Sequence, residues 1–329
     1  MQAGTPRPLN VLLTSIGRRV ALARAFRREL ADFSPGGRVL GTDVSSLSAG
    51  FQDSDGGYLV PRCTEPGYIA RLLEIVHHEK VEILVPLIDT ELGILARYRG
   101  DFLREGCHVI VSDEEQVLLT RDKARSAQHF RRLGFDAPRV LTTSELEDPD
   151  DLTYPVFLKP ADGSSSIGAT RIDSPADLRY HLSRIDSPVV QSFEDGEEFT
   201  IDVFCDLDGA ARCAVPRKRL ETRAGEVSKG LTVKDRAMMD AASRLVEALG
   251  GCRGCITLQC FRCDGRYVFF EANLRFGGGY PLSYAAGANF PGWILRMVSG
   301  ERIESFDEWE DGLLMLRFDD AVFVKNWRE

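Results

Sequence analysis

The chain has 329 residues, of which 43% are hydrophobic and 28% charged, and a formal net charge of −9. These are the proportions of a folded globular protein with room for two or three domains; the acidic balance excludes a broad nucleic-acid-binding face but leaves room for a local basic pocket for phosphates. The opening MQAGTPRPLN lacks the apolar core of a signal peptide, and no apolar run approaches the roughly 20 residues that cross a bilayer, so a cytoplasmic protein with no nucleic-acid or membrane partner is expected.

Residues 9–14 (LNVLLT) form a short apolar run, SIGRR follows, and Val20, Leu22, Ala23, Phe26 and Leu30 then recur at helical spacing. This is strand, turn, helix. Residues 39–43 (VLGTD) predict a second strand ending in an acid, but there is no GxGxxG, only Gly17. Asp43 has two readings, a ribose-binding acid or a cap at the strand end. Residues 68–78 are helical, and 83–87 are a buried strand with Asp89 and Glu91 just beyond its C-terminal end. Ligands of open α/β sheets bind at that edge, so these two acids either hold a polar substrate or cap the next helix. Residues 108–111 are a further strand, and Asp113 starts a long helix reaching Leu133. The alternation makes residues 1–112 a parallel-sheet α/β domain.

The character changes after Gly134. Residues 156–159 are a strand ending in Lys159, and the Gly/Ser loop behind it can wrap backbone N–H groups around phosphate oxygens. It is not a Walker loop, since no GK[ST] opens a helix. Strands at 189–193 and 199–205 flank a turn at 194–197, so this half is α+β. In VPRKRLET (215–222), Arg217 and Arg219 share a strand face, either solvated or forming an anion-binding wall. Residues 234–249 are an amphipathic helix. Residues 313–318 and 322–324 suggest a small terminal hairpin. Cys252, Cys255, Cys260 and Cys263 spell CxxC-x4-CxxC, but strand alternation splits them between faces and the gap is short for zinc, so reduced structural thiols are expected.

The densest chemistry lies in residues 251–280, read as two strands, an arginine and a glycine run. Alternation puts Glu271 and Asn273 on one face, with Gln259 on the preceding strand and Arg275 two residues beyond. Oxygen ligands with no soft ligand beside them suit Mg²⁺ bridging a carboxylate to substrate phosphates, and a nearby arginine suits phosphoryl transfer. Asp264-Gly265 looks like a two-residue type I′ turn, which pairs Cys263 with Arg266 and sets Gln259 opposite Phe270, off the metal face. A three-residue loop sets Gln259 opposite Glu271. A metal site that includes Gln259 therefore predicts the longer loop, with a bulge at Gly265.

Lys123 in RDKAR, Lys159 in FLKPADGSSSIG, the QSFEDGEEFTIDV hinge and LQ…FFEANLRFGGG together resemble the ATP-grasp superfamily, in its order and spacing. TSIGRR, VPLIDTEL and RFGGGYPLSYAAGAN look like its stand-alone carbamoyl-phosphate-synthase large-subunit-like group. The resemblance implies an α/β plus α+β chain: a pre-ATP-grasp, Rossmann-like domain (1–112), a linker helix and small lid (113–187), and a C-terminal subdomain with the metal site (188–329). It implies that Lys123 and Lys159 contact ATP phosphates, that Ser164, Ser165, Ser166 and Gly168 belong to the loop folding over them, that Gln191, Ser192 and Phe193 hold adenine, and that Glu198 binds ribose. It further implies Mg²⁺, with Mn²⁺ as an alternative, on Gln259, Glu271 and Asn273, and catalytic roles for Lys159, Arg275 and Arg219. The implied activity is a carboxylate–amine ligase working through an acylphosphate on small-molecule substrates; a carbamoyl-phosphate-synthase-like phosphotransferase and a silent ATP-binding scaffold are the alternatives, and a homodimer is among the assemblies allowed. Four departures stand out: one ATP-grasp unit where carbamoyl phosphate synthase needs two, no glutaminase signature, Leu274 in place of the usual proline, and a neutral Gln259 where an acid often stands.

Overall fold

The computed structural model describes residues 8–161, 168–185, 187–223 and 225–327. Five short strands, β1 (Val11–Thr14), β2 (Val39–Asp43), β3 (Gly56–Leu59), β4 (Ile83–Pro86) and β5 (His108–Val109), form an all-parallel sheet in the order β3-β2-β1-β4-β5. Every residue of β1 and β4 is buried, as expected of strands covered on both faces by helices. The chain runs outward from β1 to β3, then returns to place β4 on β1's other side. The order therefore reverses between β1 and β4, and a crevice opens at their C-terminal ends. Residues 15–19 and 88–91 lie there.

A three-stranded antiparallel sheet follows, built from β6 (Val156–Pro160), β7 (Thr170–Ile172) and β8 (Pro188–Ser192) in the order β7-β6-β8. Val156, Leu158, Ile172 and Val190 pack with Leu141 and Leu178 in a small core of their own. Alternation sends Phe157, Lys159 and Gln191 to the opposite face, where the pairing sets Phe157 opposite Gln191.

The third sheet, in the order β13-β12-β9-β10-β11-β14, comprises β9 (Glu197–Cys205), β10 (Ala211–Arg223), β11 (Glu226–Thr232), β12 (Gly254–Cys263), β13 (Arg266–Asn273) and β14 (Leu314–Leu316). Its core is continuous with that of the parallel sheet; Phe26 meets Phe276 edge to face, with ring centroids 6.1 Å apart. Among the described residues no helix is long and apolar enough to cross a membrane. All eight cysteines are free, and all but Cys63 are buried.

Three expectations are corrected. The helix from Asp113 is broken into Glu114–Arg121 and Lys123–Arg132, because the Asp122 carboxylate caps the second helix, accepting from Ala124 N at 3.0 Å and Arg125 N at 2.9 Å. The terminal hairpin does not form: Leu314–Leu316 pairs with β11 instead, and residues 322–324 are not a strand. The hairpin of β12 and β13 closes through the two-residue turn, not the longer loop, with Asp264 and Gly265 at φ 48° and 79° and Cys263 opposite Arg266. Yet Gln259 does stand opposite Glu271, because the ladder shifts between Gln259 and Cys260 and leaves Phe270 as an extra residue. The bulge lies at Phe270 rather than at Gly265. It turns the Phe270 ring onto Phe261, stacked at 4.6 Å.

Gly265→Ala is expected to destabilise the protein by roughly 1 kcal/mol, because an L side chain resists the left-handed region. A lower urea midpoint with an unchanged m-value checks this.

Candidate active site

The pairing that crosses the six-stranded sheet places Arg217, Thr200, Gln259 and Glu271 side by side on four successive strands. The next row carries Asp202, Thr257 and Asn273. One sheet face therefore collects polar groups that lie far apart in the chain. It faces a cavity of about 470 Å³ whose walls include Lys123, Arg219, Gln259, Glu271, Asn273 and Arg275. Six of the residues singled out in the sequence thus meet around one space.

Asn273 Nδ2 donates to Glu271 Oε1 at 3.0 Å, which orients the carboxylate. Among the described residues no group of three or more His, Cys, Asp or Glu side chains could hold a metal. One carboxylate with two amide oxygens is too weak for an all-protein cage. It fits Mg²⁺, which commonly uses one or two carboxylates together with substrate phosphates.

Arg275 donates to Asp89 through Nε at 3.2 Å and Nη2 at 2.7 Å, joining the segment after β13 to the crevice of the parallel sheet. Its backbone oxygen accepts from Thr257 Oγ1 at 2.9 Å. Asp89, read as a substrate ligand or a helix cap, is thus the partner of Arg275. Glu91 is not available to a substrate. It is fully buried and accepts from Thr14, Ser15, Tyr68 and the Leu87 amide at 2.6–2.9 Å. Burial pushes its pKa up, and those donors oppose the rise. Asp43 takes the capping role: it accepts from Gly17 N at 2.9 Å and Val44 N at 2.7 Å.

Lys159 is 7% exposed. Burial pulls its pKa down to about 8; Glu271 opposes this and Lys123 adds to it. The Gln191 side chain is buried, and its Oε1 has no partner among the described residues. Ser192 Oγ accepts from Arg139 N at 2.9 Å and donates to Glu194 at 2.7 Å. The Arg171 guanidinium lies 4.7 Å from the centre of the Phe193 ring. Glu198 is ion-paired with Arg219 at 2.9 Å; burial raises its pKa, Arg219 works against this, and Glu271 adds to it. Arg219 also donates to Thr200 at 3.2 Å. Lys159, Glu198 and the Gln191–Phe193 hinge are not among the walls of the cavity. Gly168 is described, with φ 74°; Ser164, Ser165 and Ser166 lie outside the described residues.

Three residues weigh more than the sequence suggested. Asp202 and Arg217 are fully buried and joined by two hydrogen bonds, 2.8 Å from Nε and 3.0 Å from Nη2. Ser283 also donates to Asp202, at 2.6 Å. Arg217 is therefore not on a solvated face. Its Nη1 has no hydrogen-bond partner among the described residues, and a Cβ at Gly279 would sit 2.2 Å from it. Arg19 is the other omission. Its signal was SIGRR at the end of the first strand, which matters only once β1 is known to flank the crevice.

Residues 11–110 match the family model of a PylC-like N-terminal domain, and residues 185–321 match that of an ATP-grasp protein of the biosynthetic pathway with the Ter operon. The chain belongs to the ATP-grasp superfamily. D-alanine–D-alanine ligase of Corynebacterium aurimucosum is 25% identical over 244 residues, which span 66% of this chain and 68% of that relative. Carbamoyl phosphate synthase large chain of Thermotoga neapolitana is 26% identical over 179 residues, 51% of this chain but only 16% of that much longer relative. The biotin carboxylase domain of Hydrogenobacter thermophilus 2-oxoglutarate carboxylase, solved with magnesium ADP, ADP and bicarbonate, shares the ATP-grasp fold. It superposes with a TM-score of 0.73 at 16% identity, over 92% of this chain and 73% of its own.

Two outcomes are expected of this ATP-grasp site. The folded-state pKa of Lys159, about 8, lies below its ordinary 10.5, so the unfolded chain binds more protons between those values. The contribution of Lys159 to stability therefore rises with pH from about 8 to about 10.5, and below about 8 its buried charge is a constant cost. Lys159→Met should be more stable than wild type at pH 7, with the difference narrowing across that window in urea titrations. Asp202→Ala strands the Arg217 charge in the core and should lower the unfolding free energy by about 3–5 kcal/mol in the same titrations.

Proposed function

We propose that this ATP-grasp chain is an ATP-dependent ligase that activates a small carboxylate as an acylphosphate and passes the acyl group to an amine. The observation that carries the reading is the meeting of Lys123, Arg219 and Arg275 with Glu271 and Asn273 around one cavity with no Cys or His among the described residues of its walls. Such a site can gather and stabilise phosphate charge but offers no thiol or imidazole for covalent catalysis, which suits direct attack by the substrate.

In this reading a carboxylate oxygen of the substrate attacks the γ-phosphorus of ATP, an O–P bond forms, and the bond to the ADP oxygen breaks. Lys159 and Lys123 hold phosphate oxygens. Arg275, aimed by Asp89, takes up charge as it spreads over the transferring group. Glu271, Asn273 and Gln259 would hold Mg²⁺, which when bound neutralises phosphate charge; Mn²⁺ accepts the same oxygen set. Gln191, Ser192 and Phe193 take the adenine end, Glu198 the ribose, Arg219 the acidic substrate, and Ser164, Ser165, Ser166 and Gly168 belong to the loop over the phosphates. One copy of the chain supplies every residue used. A cytoplasmic setting agrees with the eight free thiols.

The test is ADP release in a screen of small carboxylates and amines, with hydroxylamine added to trap acylphosphate as hydroxamate. An amide without accumulating acylphosphate supports the ligase; acylphosphate or carbamoyl phosphate as end product indicates the phosphotransferase. Glu271→Gln should slow ADP release about 100-fold or more, and EDTA should abolish it. Turnover unchanged by Glu271→Gln would remove the metal assignment.

A further inference from the structure

A second, smaller cavity of about 170 Å³ opens behind the glycine run. Arg19, Ile88, Glu226, Gly277 and Gly278 wall both spaces, so the two adjoin. The smaller one is closed by residues 15–17 after β1 and by Arg317 from the last part of the chain. It sits at the point where the strand order of the parallel sheet reverses, a place that open α/β sheets give to ligands.

Its charges are out of balance. Arg317 Nη1 donates to Glu226 Oε2 at 3.1 Å, while Arg19 Nη1 approaches Glu226 Oε1 only to 3.8 Å. Two cations thus share one carboxylate. Arg19 is the less closely paired member: burial lowers its pKa, Glu226 and, more weakly, Asp89 restore part of the loss, and Arg275 and Arg317 add to it. An anion in the cavity would offset that cost. Burial alone would raise the Glu226 pKa, but Arg19 and Arg317 hold it below the usual range, so its carboxylate stays charged. A Cβ at Gly278 would lie 2.8 Å from Arg19 Nη1 and 2.9 Å from the Glu226 carboxylate. Both groups therefore rest directly on the backbone that separates the two spaces.

Size narrows the ligand further. A cavity of about 150 Å³ holds a molecule the size of benzene, so this one suits a small ligand. A whole nucleotide is too large. A molecule that fits and still reaches the acyl group next door needs an anion at one end and a nucleophile a few bonds away.

We infer that this cavity is the acceptor subsite, taking a small amino carboxylate with its carboxylate on Arg19 and Arg317 and its ammonium against Glu226, at the opening into the larger cavity. This rests on the ligase reading for its chemistry, though not for its binding. In the joining step one C–N bond forms and the C–O bond to phosphate breaks. The ammonium sheds two protons, one leaving on the phosphate and one to water.

The test combines binding and product analysis on the full chain. Glycine and alanine labelled with ¹³C at the carboxyl are titrated by NMR into wild type, Arg317→Met and Glu226→Gln. Saturable binding weakened about tenfold or more by Arg317→Met is expected, the size of one lost charged hydrogen bond. Arg317 also donates to Val227 O at 3.2 Å and so anchors the chain end, which makes Glu226→Gln, equal in size, the second variant. It should weaken glycine far more than glycolate, a shift in preference that disturbed folding would not produce. In turnover, the ratio of amide to hydroxamate should fall about tenfold in both variants. Binding insensitive to both variants, or a glycine-to-glycolate preference unmoved by Glu226→Gln, overturns the subsite. Arg317-dependent binding without hydroxamate or ADP from any carboxylate leaves the subsite standing and removes the ligase reading. Hydroxamate formation with an unchanged product ratio does the reverse.

Discussion

The buried pair of Asp202 and Arg217 is the constraint under which the rest of the site is assembled. A pair of this kind contributes little net stability, since desolvation of both ions roughly cancels their attraction, but neither partner can be left alone. Its demands spread outward. Asp202 holds both Ser283 and Arg217, and Arg217 leaves no room for a side chain at Gly279. Thr257, buried beside the pair, holds the backbone of Arg275. The position of the arginine expected to meet the transferring phosphate therefore depends on a buried ion pair two strands away.

A second link joins the two halves of the molecule. Arg275 reaches across to Asp89, at the C-terminal edge of the parallel sheet. The reaction space is thus bounded on one side by the six-stranded sheet, with its acid and amides, and on the other by the crevice between β1 and β4. A chain of net charge −9 concentrates cations here: Arg19, Lys123, Arg217, Arg219 and Arg275 all wall the larger cavity. Low-dielectric walls strengthen such a field inside the cleft, while the acidic remainder of the surface leaves non-specific polyanions unattracted.

The bulge at Phe270 shows how a small irregularity sets chemistry. A regular hairpin with the Asp264-Gly265 turn would set Gln259 against Phe270. One extra residue on β13 restores Gln259 to Glu271 and brings an aromatic ring onto the same face. The turn sequence and the site requirement appeared to conflict only because a bulge in mid-strand leaves no mark in the alternation of residue types.

What the sequence by itself determined is whatever depends on short periods and on order along the chain. The parallel α/β first half, the antiparallel second half, the shared face of Glu271 and Asn273, and the lysine and arginine positions that carry the ATP-grasp resemblance were all legible there, because strand and helix periods are set by neighbours. Burial and pairing across long separations were decided by tertiary structure alone. Glu91 had two readings, substrate ligand or helix cap, and the second holds because Thr14, Ser15 and Tyr68 converge on it and bury it. Arg217, read as either solvated or part of an anion-binding wall, is a buried cation because Asp202 accepts from it within the sheet. Arg19, Glu226 and Arg317 belong to three distant segments, and only the reversal of strand order between β1 and β4, with the return of the chain end past β11, brings them around one cavity. No local pattern encodes such a meeting, because its energy is gained only when the segments have already packed.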